Sequence, residues 1–209
     1  MVRCQVAVAL ACTTLVACLP EPKSEVQWGS RWTGEPMRVV LLPASCASVS
    51  GDCDDASVQG VQGLVASELE FGRYAVADAE KLVASARSRQ DVDVELSRFG
   101  EQLVAVRSRA QAGSVFEDLS PAQRRALLAE ARAEGIVSVR VQIGVSNGGT
   151  RENDVQVRLG LGDGGELAWV ARCTAPSSWN GSPSLAQSLE TAARCALGRA
   201  LEKPAAAGR

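Results

Sequence analysis

Ile136-Val137-Ser138-Val139-Arg140-Val141-Gln142-Ile143-Gly144-Val145 is the stretch that decides the fold. After Ile136, apolar residues hold every odd position, and polar or small residues hold the even ones. Successive side chains of a strand point to opposite faces, so this pattern predicts one strand with a core face and a wet or lightly covered face. Asn147-Gly148-Gly149 then turns the chain, and Val155, Val157, Leu159 and Leu161 repeat the alternation. Asp163-Gly164-Gly165 is a hairpin signal, because glycine takes positive φ without steric cost. Leu167, Trp169 and Ala171 return. Three such segments in succession predict an antiparallel meander.

Upstream of the meander, Ser120-Pro121-Ala122-Gln123 starts a helix: Ser120 caps, Pro121 suits the first turn, and Gln123 closes a capping box. Leu127, Leu128 and Ala131 form its apolar face, and Gly135 ends it. Residues 92–112 carry Leu96, Phe99, Leu103 and Val106 on one helical face. Further back, Arg38-Val39-Val40-Leu41-Leu42-Pro43 is a short apolar run ended by proline, as in a buried strand. Residues 44–57 read as a loop. Val58, Val61, Leu64, Val65 and Leu69 form a helical stripe stopped by Gly72, residues 73–77 a second strand, and Asp78 caps a short helix carrying Leu82 and Val83. After the meander, Ser184 to Glu202 is helical, with Leu185, Leu189, Ala192, Ala193, Ala196 and Leu197 inward. The longer elements run β-α-β-α-α-β-β-β-α. That order predicts an α/β (α+β) domain over residues 37–203, a mixed sheet with helices packed on it, followed by a tail at 204–209.

The first residues divide like an export signal. Arg3 supplies a charge, and an apolar stretch from Val6 to Val16 is about a dozen residues, short of the roughly 20 that span a bilayer. It ends in Leu15-Val16-Ala17-Cys18, which resembles the lipobox of bacterial lipoproteins. Ala9-Leu10-Ala11-Cys12 is a poorer match. Residues 1–17 are therefore expected to be a signal peptide and Cys18 the lipid attachment point. Two or three acyl chains hold a protein at a membrane more firmly than the single chain that binds reversibly. Leu19, rather than Asp, after the cysteine favours the outer membrane. Residues 18–36 read as a tether broken by Pro20, Pro22, Gly29, Gly34 and Pro36, with Trp28 and Trp32 expected to pack on the domain, the alternatives being a place at the membrane interface or on a partner. As a random coil from Leu19 to Pro36 it would span about 25 Å on average and about 60 Å when extended.

Export leaves Cys46, Cys53, Cys173 and Cys195 in an oxidising compartment. Three pairings exist. Cys46 with Cys53 and Cys173 with Cys195 are favoured, the second stapling the last strand to the last helix; crossed pairings and free thiols stay open.

The formal charge is −2, which argues against nucleic acid as a partner. The chain has no histidine, so neither Ser-His-Asp nor Cys-His catalysis can be assembled, and the commonest general base and metal ligand are missing. Lys23, Lys81 and Lys203 sit in the tether, on an exposed helix and in the tail, poor places for a Ser–Lys pair. Glu117-Asp118 and Glu130/Glu134 fall on solvated helix faces. Asp52, Asp54 and Asp55 lack the spacing and closing Glu of a calcium loop and read as helix-capping acids. Gly60, Gly63 and Gly72 lack the Lys-Ser/Thr ending of a phosphate loop. The expectation is no enzyme, no metal and no cofactor. Trp169 and Trp179 read as packing residues or, alternatively, as the lining of a binding groove. Arg140, Gln142, Gln156 and Arg158 share the outward phase of neighbouring strands, either a solvated face or a polar docking surface.

Four phrases together resemble a family of short envelope lipoproteins that includes the curli-secretion subunit CsgG, FlgO, LpoB and the N-terminal domain of TolB. They are the apolar strand Arg38–Pro43, the helix from Leu64 running into Gly72-Arg73-Tyr74-Ala75-Val76, the capped segment Ser120–Gly135, and the meander Ile136–Arg172. The resemblance implies an accessory domain that docks on an envelope machine without a reaction of its own. Channel-forming members carry additional alternating segments that this chain lacks. The sequence thus points to a periplasm-facing lipoprotein that binds or regulates an envelope protein. The alternatives are a small-molecule or glycan-binding module and a subunit of a homo-oligomer.

Overall fold

The computed structural model describes residues 21–30, 32–48, 53–89, 93–107, 119–147, 150–178 and 183–202. The elements are β1 (Lys23–Trp28), β2 (Arg38–Leu41), β3 (Ser45–Ser48), α1 (Asp55–Phe71), β4 (Ala75–Asp78), α2 (Ala79–Arg87), α3 (Val94–Arg107), α4 (Pro121–Ala131), β5 (Gly135–Asn147), β6 (Thr150–Leu161), β7 (Glu166–Ser178) and α5 (Leu185–Leu201). The strands make one mixed sheet in the order β1-β7-β6-β5-β2-β4, with β3 beside β5 beyond the end of β2. β2 runs parallel to β4 and β5, and β3 parallel to β5, while β5, β6, β7 and β1 are successively antiparallel.

The predicted class holds: a mixed α+β sheet with helices packed on it. Its odd-numbered face is apolar. Val137, Val139, Val141, Ile143, Val155, Val157 and Leu159 meet Val61, Val65 and Leu69 of α1 and Leu189, Ala192, Ala193, Ala196 and Leu197 of α5. At the β2 end the opposite face is also dry. There Val40, Leu42 and Ile136 pack against Phe99, Leu103, Leu127 and Val83 from α3, α4 and α2. β2 is thus buried on both faces, which is why its sequence is continuously apolar rather than alternating.

The helix starts follow local chemistry. Ser120 accepts from Gln123 N while the Gln123 side chain accepts from Ser120 N, and Ser184 and Gln187 repeat that box at α5. Asp78 caps α2 through Glu80 N and Lys81 N. Each such cap satisfies amides that the first helical turn leaves open, worth about 1 kcal/mol.

The structure differs from the sequence reading in four places. Lys23–Trp28, expected within the tether, is an edge strand on β7, so the folded domain begins near residue 23 rather than 37. Residues 45–48, expected as loop, are β3. The short helix expected after Asp78 is a full nine-residue helix, so the described residues between β4 and β5 hold three helices where the expected element order counted two. Finally, the pairing slips between Leu159 and Gly160, where β7 holds one extra residue opposite β6. That bulge takes Leu167 out of the core and puts Ala168 in, breaking the expected Leu167-Trp169-Ala171 phase.

The cysteines pair as favoured. Cys46–Cys53 joins β3 to the segment before α1, and Cys173–Cys195 joins β7 to α5, with Cα–Cα distances of 6.0 and 5.9 Å.

Candidate functional site

The sheet is clothed unevenly. One face carries α1 and α5 along its length, whereas α2, α3 and α4 gather at the β2–β4 end of the other. The remainder of that second face, across β5, β6, β7 and β1, carries the side chains that alternate away from the core. Arg140, Gln142, Gln156 and Arg158 lie there together. Arg140 is directly opposite Gln156, Ser138 opposite Arg158, and Gln142 opposite Asp154. Pairs directly across a sheet stand about 5 Å apart and diagonal ones about 7–8 Å, so Arg140 and Arg158 are diagonal neighbours.

The same register adds residues that the sequence reading left out. Gln156 faces Arg172, Asp154 faces Thr174, and Arg172 faces Glu25 of β1, with Lys23 beside Thr174. Asp154 Oδ2 accepts from Arg172 Nε and from Thr174 Oγ1 at 3.0 Å, which fixes one acid between two strands. These residues share the phase of Gln156 and Arg158, so alternation alone marks them as outward. Only the pairing shows that they meet. Gln142 and Arg172 are exposed and Gln156 is half-buried, whereas Ser138 and Asp154 are buried. The Nε atoms of Arg140 and Arg158 are buried, and that of Arg140 has no hydrogen-bond partner among the described residues. Both side chains are thus partly covered along their length rather than fully solvated. This patch thus mixes the basic side chains of Arg140, Arg158, Arg172 and Lys23 with two acids, Asp154 held by Arg172 and Thr174, and Glu25 opposite Arg172.

Other candidates resolve into structural roles. Asp54 Oδ1 accepts from Ser57 N at 2.8 Å as the cap of α1, and Asp55 lies in the first turn. Hydrogen bonds from Ser57 hold the Asp54 carboxyl below its ordinary value of 3.8. Asp52 lies outside the described residues. Among the described residues, no three His, Cys, Asp or Glu side chains gather as a metal set. Trp169 is fully buried in the main core, so it lines no groove, and Trp179 lies outside the described residues. Of the two upstream indoles, Trp32 packs on the core, stacked on Tyr74 with centroids 6.5 Å apart, while Trp28 is 40% exposed.

A shallow groove of about 530 Å³ runs between α1 and α5 over Gly60, Val61, Leu64 and Ala186. A Cβ at Gly60 would meet nothing within 4 Å, so this glycine leaves the groove wider than alanine would. Its lining is apolar, with Glu190 at the rim.

Cys18, with Leu15, Val16 and Ala17 before it, lies outside the described residues, as do the tail at 204–209 and the acids Glu117 and Asp118.

No family model and no curated protein sequence matches the chain. Among solved structures, it is similar to the PelC dodecamer from Paraburkholderia phytofirmans, at 15% identity and a TM-score of 0.46, covering 85% of this chain and 96% of that one. It is also similar to lipoprotein GNA1162 from Neisseria meningitidis, at 14% identity and a TM-score of 0.44, covering 71% and 88% respectively.

Proposed function

We propose that this protein is an exported, lipid-anchored accessory that binds a protein of the bacterial envelope through the open face of its sheet. The observation that carries the reading is the register that gathers Arg140, Gln142, Gln156, Arg158 and Arg172 on a face that none of the described helices covers. The lipobox-like Leu15-Val16-Ala17-Cys18 supplies the anchor, and the phrases that resemble CsgG-like lipoproteins favour a docking role over a reaction. The periplasm-facing outer-membrane location follows from Leu19 on the same reading.

The mechanism is confinement. Holding a modest interface at a membrane raises its effective concentration without adding a contact. With β1 docked on β7, four residues rather than eighteen separate Cys18 from the folded domain. Their contour is about 18 Å at most, so the partner lies beside the anchoring membrane.

Two variants test this. Cys18→Ser should leave the protein unlabelled by palmitate and free of the membrane fraction. A photo-crosslinking residue at the exposed position 142 should capture one envelope protein. That capture should be lost in Arg140→Glu/Arg158→Glu and weakened in Cys18→Ser. Crosslinks that survive both changes, or that join only copies of this chain, refute the accessory reading.

A further inference from the structure

From the direction of β1 we infer which end of the domain faces the lipid: the end carrying Lys23, Asn147, Thr150 and Ser178 lies against the membrane, and the Gly162–Gly165 end projects away. This rests on the anchoring of Cys18 proposed above.

The argument is one of topology. β5 rises from Gly135 to Asn147, β6 descends from Thr150 to Leu161, and β7 rises again from Glu166 to Ser178. β1 pairs antiparallel to β7, with Lys23 opposite Thr174 and Trp28 opposite Trp169. The chain therefore enters the sheet at the Asn147/Thr150/Ser178 end. A tether of about 18 Å holds that end, whereas the twelve residues of β6 at about 3.3 Å each place the far hairpin about 40 Å along the sheet. A body tied by one end beside an impenetrable wall keeps its free end farther away on average, because the wall removes the orientations that would bring it closer.

The far end is not featureless. Phe71 at the end of α1 is 88% exposed and Trp28 at the end of β1 is 40% exposed. The inference places both away from the bilayer. It also sets the open face, with Arg140 midway along β5, sideways to the membrane, where a partner embedded in or resting on the same membrane can reach it.

Full-length acylated protein in phosphatidylethanolamine/phosphatidylglycerol liposomes tests this. A small fluorophore is placed at Glu152, exposed two residues into β6, or at Gly164, where a side chain meets no atom within 4 Å. A nitroxide quencher is attached to the lipid headgroups. Quenching should be several-fold stronger at position 152 than at 164. A long Gly/Ser insertion between Pro22 and Lys23 should relieve the quenching at 152 while leaving the urea midpoint unchanged. Equal quenching at the two positions, stronger quenching at 164 (the result if Trp28 and Phe71 entered the bilayer), or no response to the insertion overturns the orientation. Flotation and the mass of the Cys18 peptide are read in the same samples. Protein that does not float or carries no acyl group refutes the anchoring reading, and the orientation falls with it. Protein that floats with 164 nearer refutes the orientation alone.

Discussion

Replacing Cys173 and Cys195 together by alanine should cost more stability than replacing Cys46 and Cys53, and the structure sets the difference. The first bridge spans 22 residues and the second 7. A crosslink stabilises by denying the unfolded chain the freedom of its loop, and that loss grows with the logarithm of loop length. The chain-entropy relation gives about 3.4 kcal/mol for the longer loop and about 2.4 kcal/mol for the shorter. Alanine rather than serine is the right replacement at Cys173, which is fully buried on β7 against α5, because a hydroxyl there would need a partner. Urea unfolding followed by far-UV circular dichroism reads the effect as a fall in midpoint at unchanged slope. In a thermal scan the longer bridge should account for about 7–14 °C. Wild-type protein unfolded in reductant should fall to the level of a variant lacking both bridges. If the two double variants lose the same stability, or the order reverses, loop closure is not what these bridges contribute.

Two further outcomes follow from the same geometry. Gly29→Ala would put a Cβ 1.6 Å from Leu167 O, a backbone atom that cannot swing aside, so the last pairing of β1 at the β7 bulge must open. The expected cost is about 1–3 kcal/mol, with new protease cleavage between residues 20 and 36; an unchanged digest would show that β1 does not depend on this contact. Asp54→Ala should cost about 1 kcal/mol at pH 7, through loss of the α1 cap. Because the folded-state value of Asp54 lies below the ordinary 3.8, its charge contributes stability that is present above 3.8 and lost as pH falls through the folded value. The gap between wild type and variant should therefore narrow in urea melts at pH 3, and a gap that stays constant from pH 7 to pH 3 refutes the charge as its source.

The legible parts of this fold are those fixed by local chemistry. The alternation of residues 137–143, the capping box at Ser120, the helix from Ser184, and the apolar run of β2 all depend on residues within a few positions of one another. What the sequence reading missed depends on partners far along the chain. β1 carries a short alternation, with Ser24 and Val26 half-buried and Lys23, Glu25 and Gln27 outward, but flanking prolines and charges made it resemble a linker until β7 stood beside it. The bulge at Ala168 is invisible without β6 opposite. The candidate face divides the same way: phase alone marked Arg140, Gln142, Gln156 and Arg158, while only cross-strand register brought Asp154, Arg172 and Thr174 among them.

The docked N-terminal strand has one more consequence. Any open sheet must leave a row of unpaired amides and carbonyls at its border, and such a row is a template on which a second chain can add. Proteins crowded into a plane would meet border to border far more often than in free solution. Here the outermost segment brings Lys23 and Glu25, with Pro20 and Pro22 immediately ahead of them, and the opposite border, β4, is only four residues long. Both borders are thus poor seeds for stacking by strand addition, whatever other contacts two copies make.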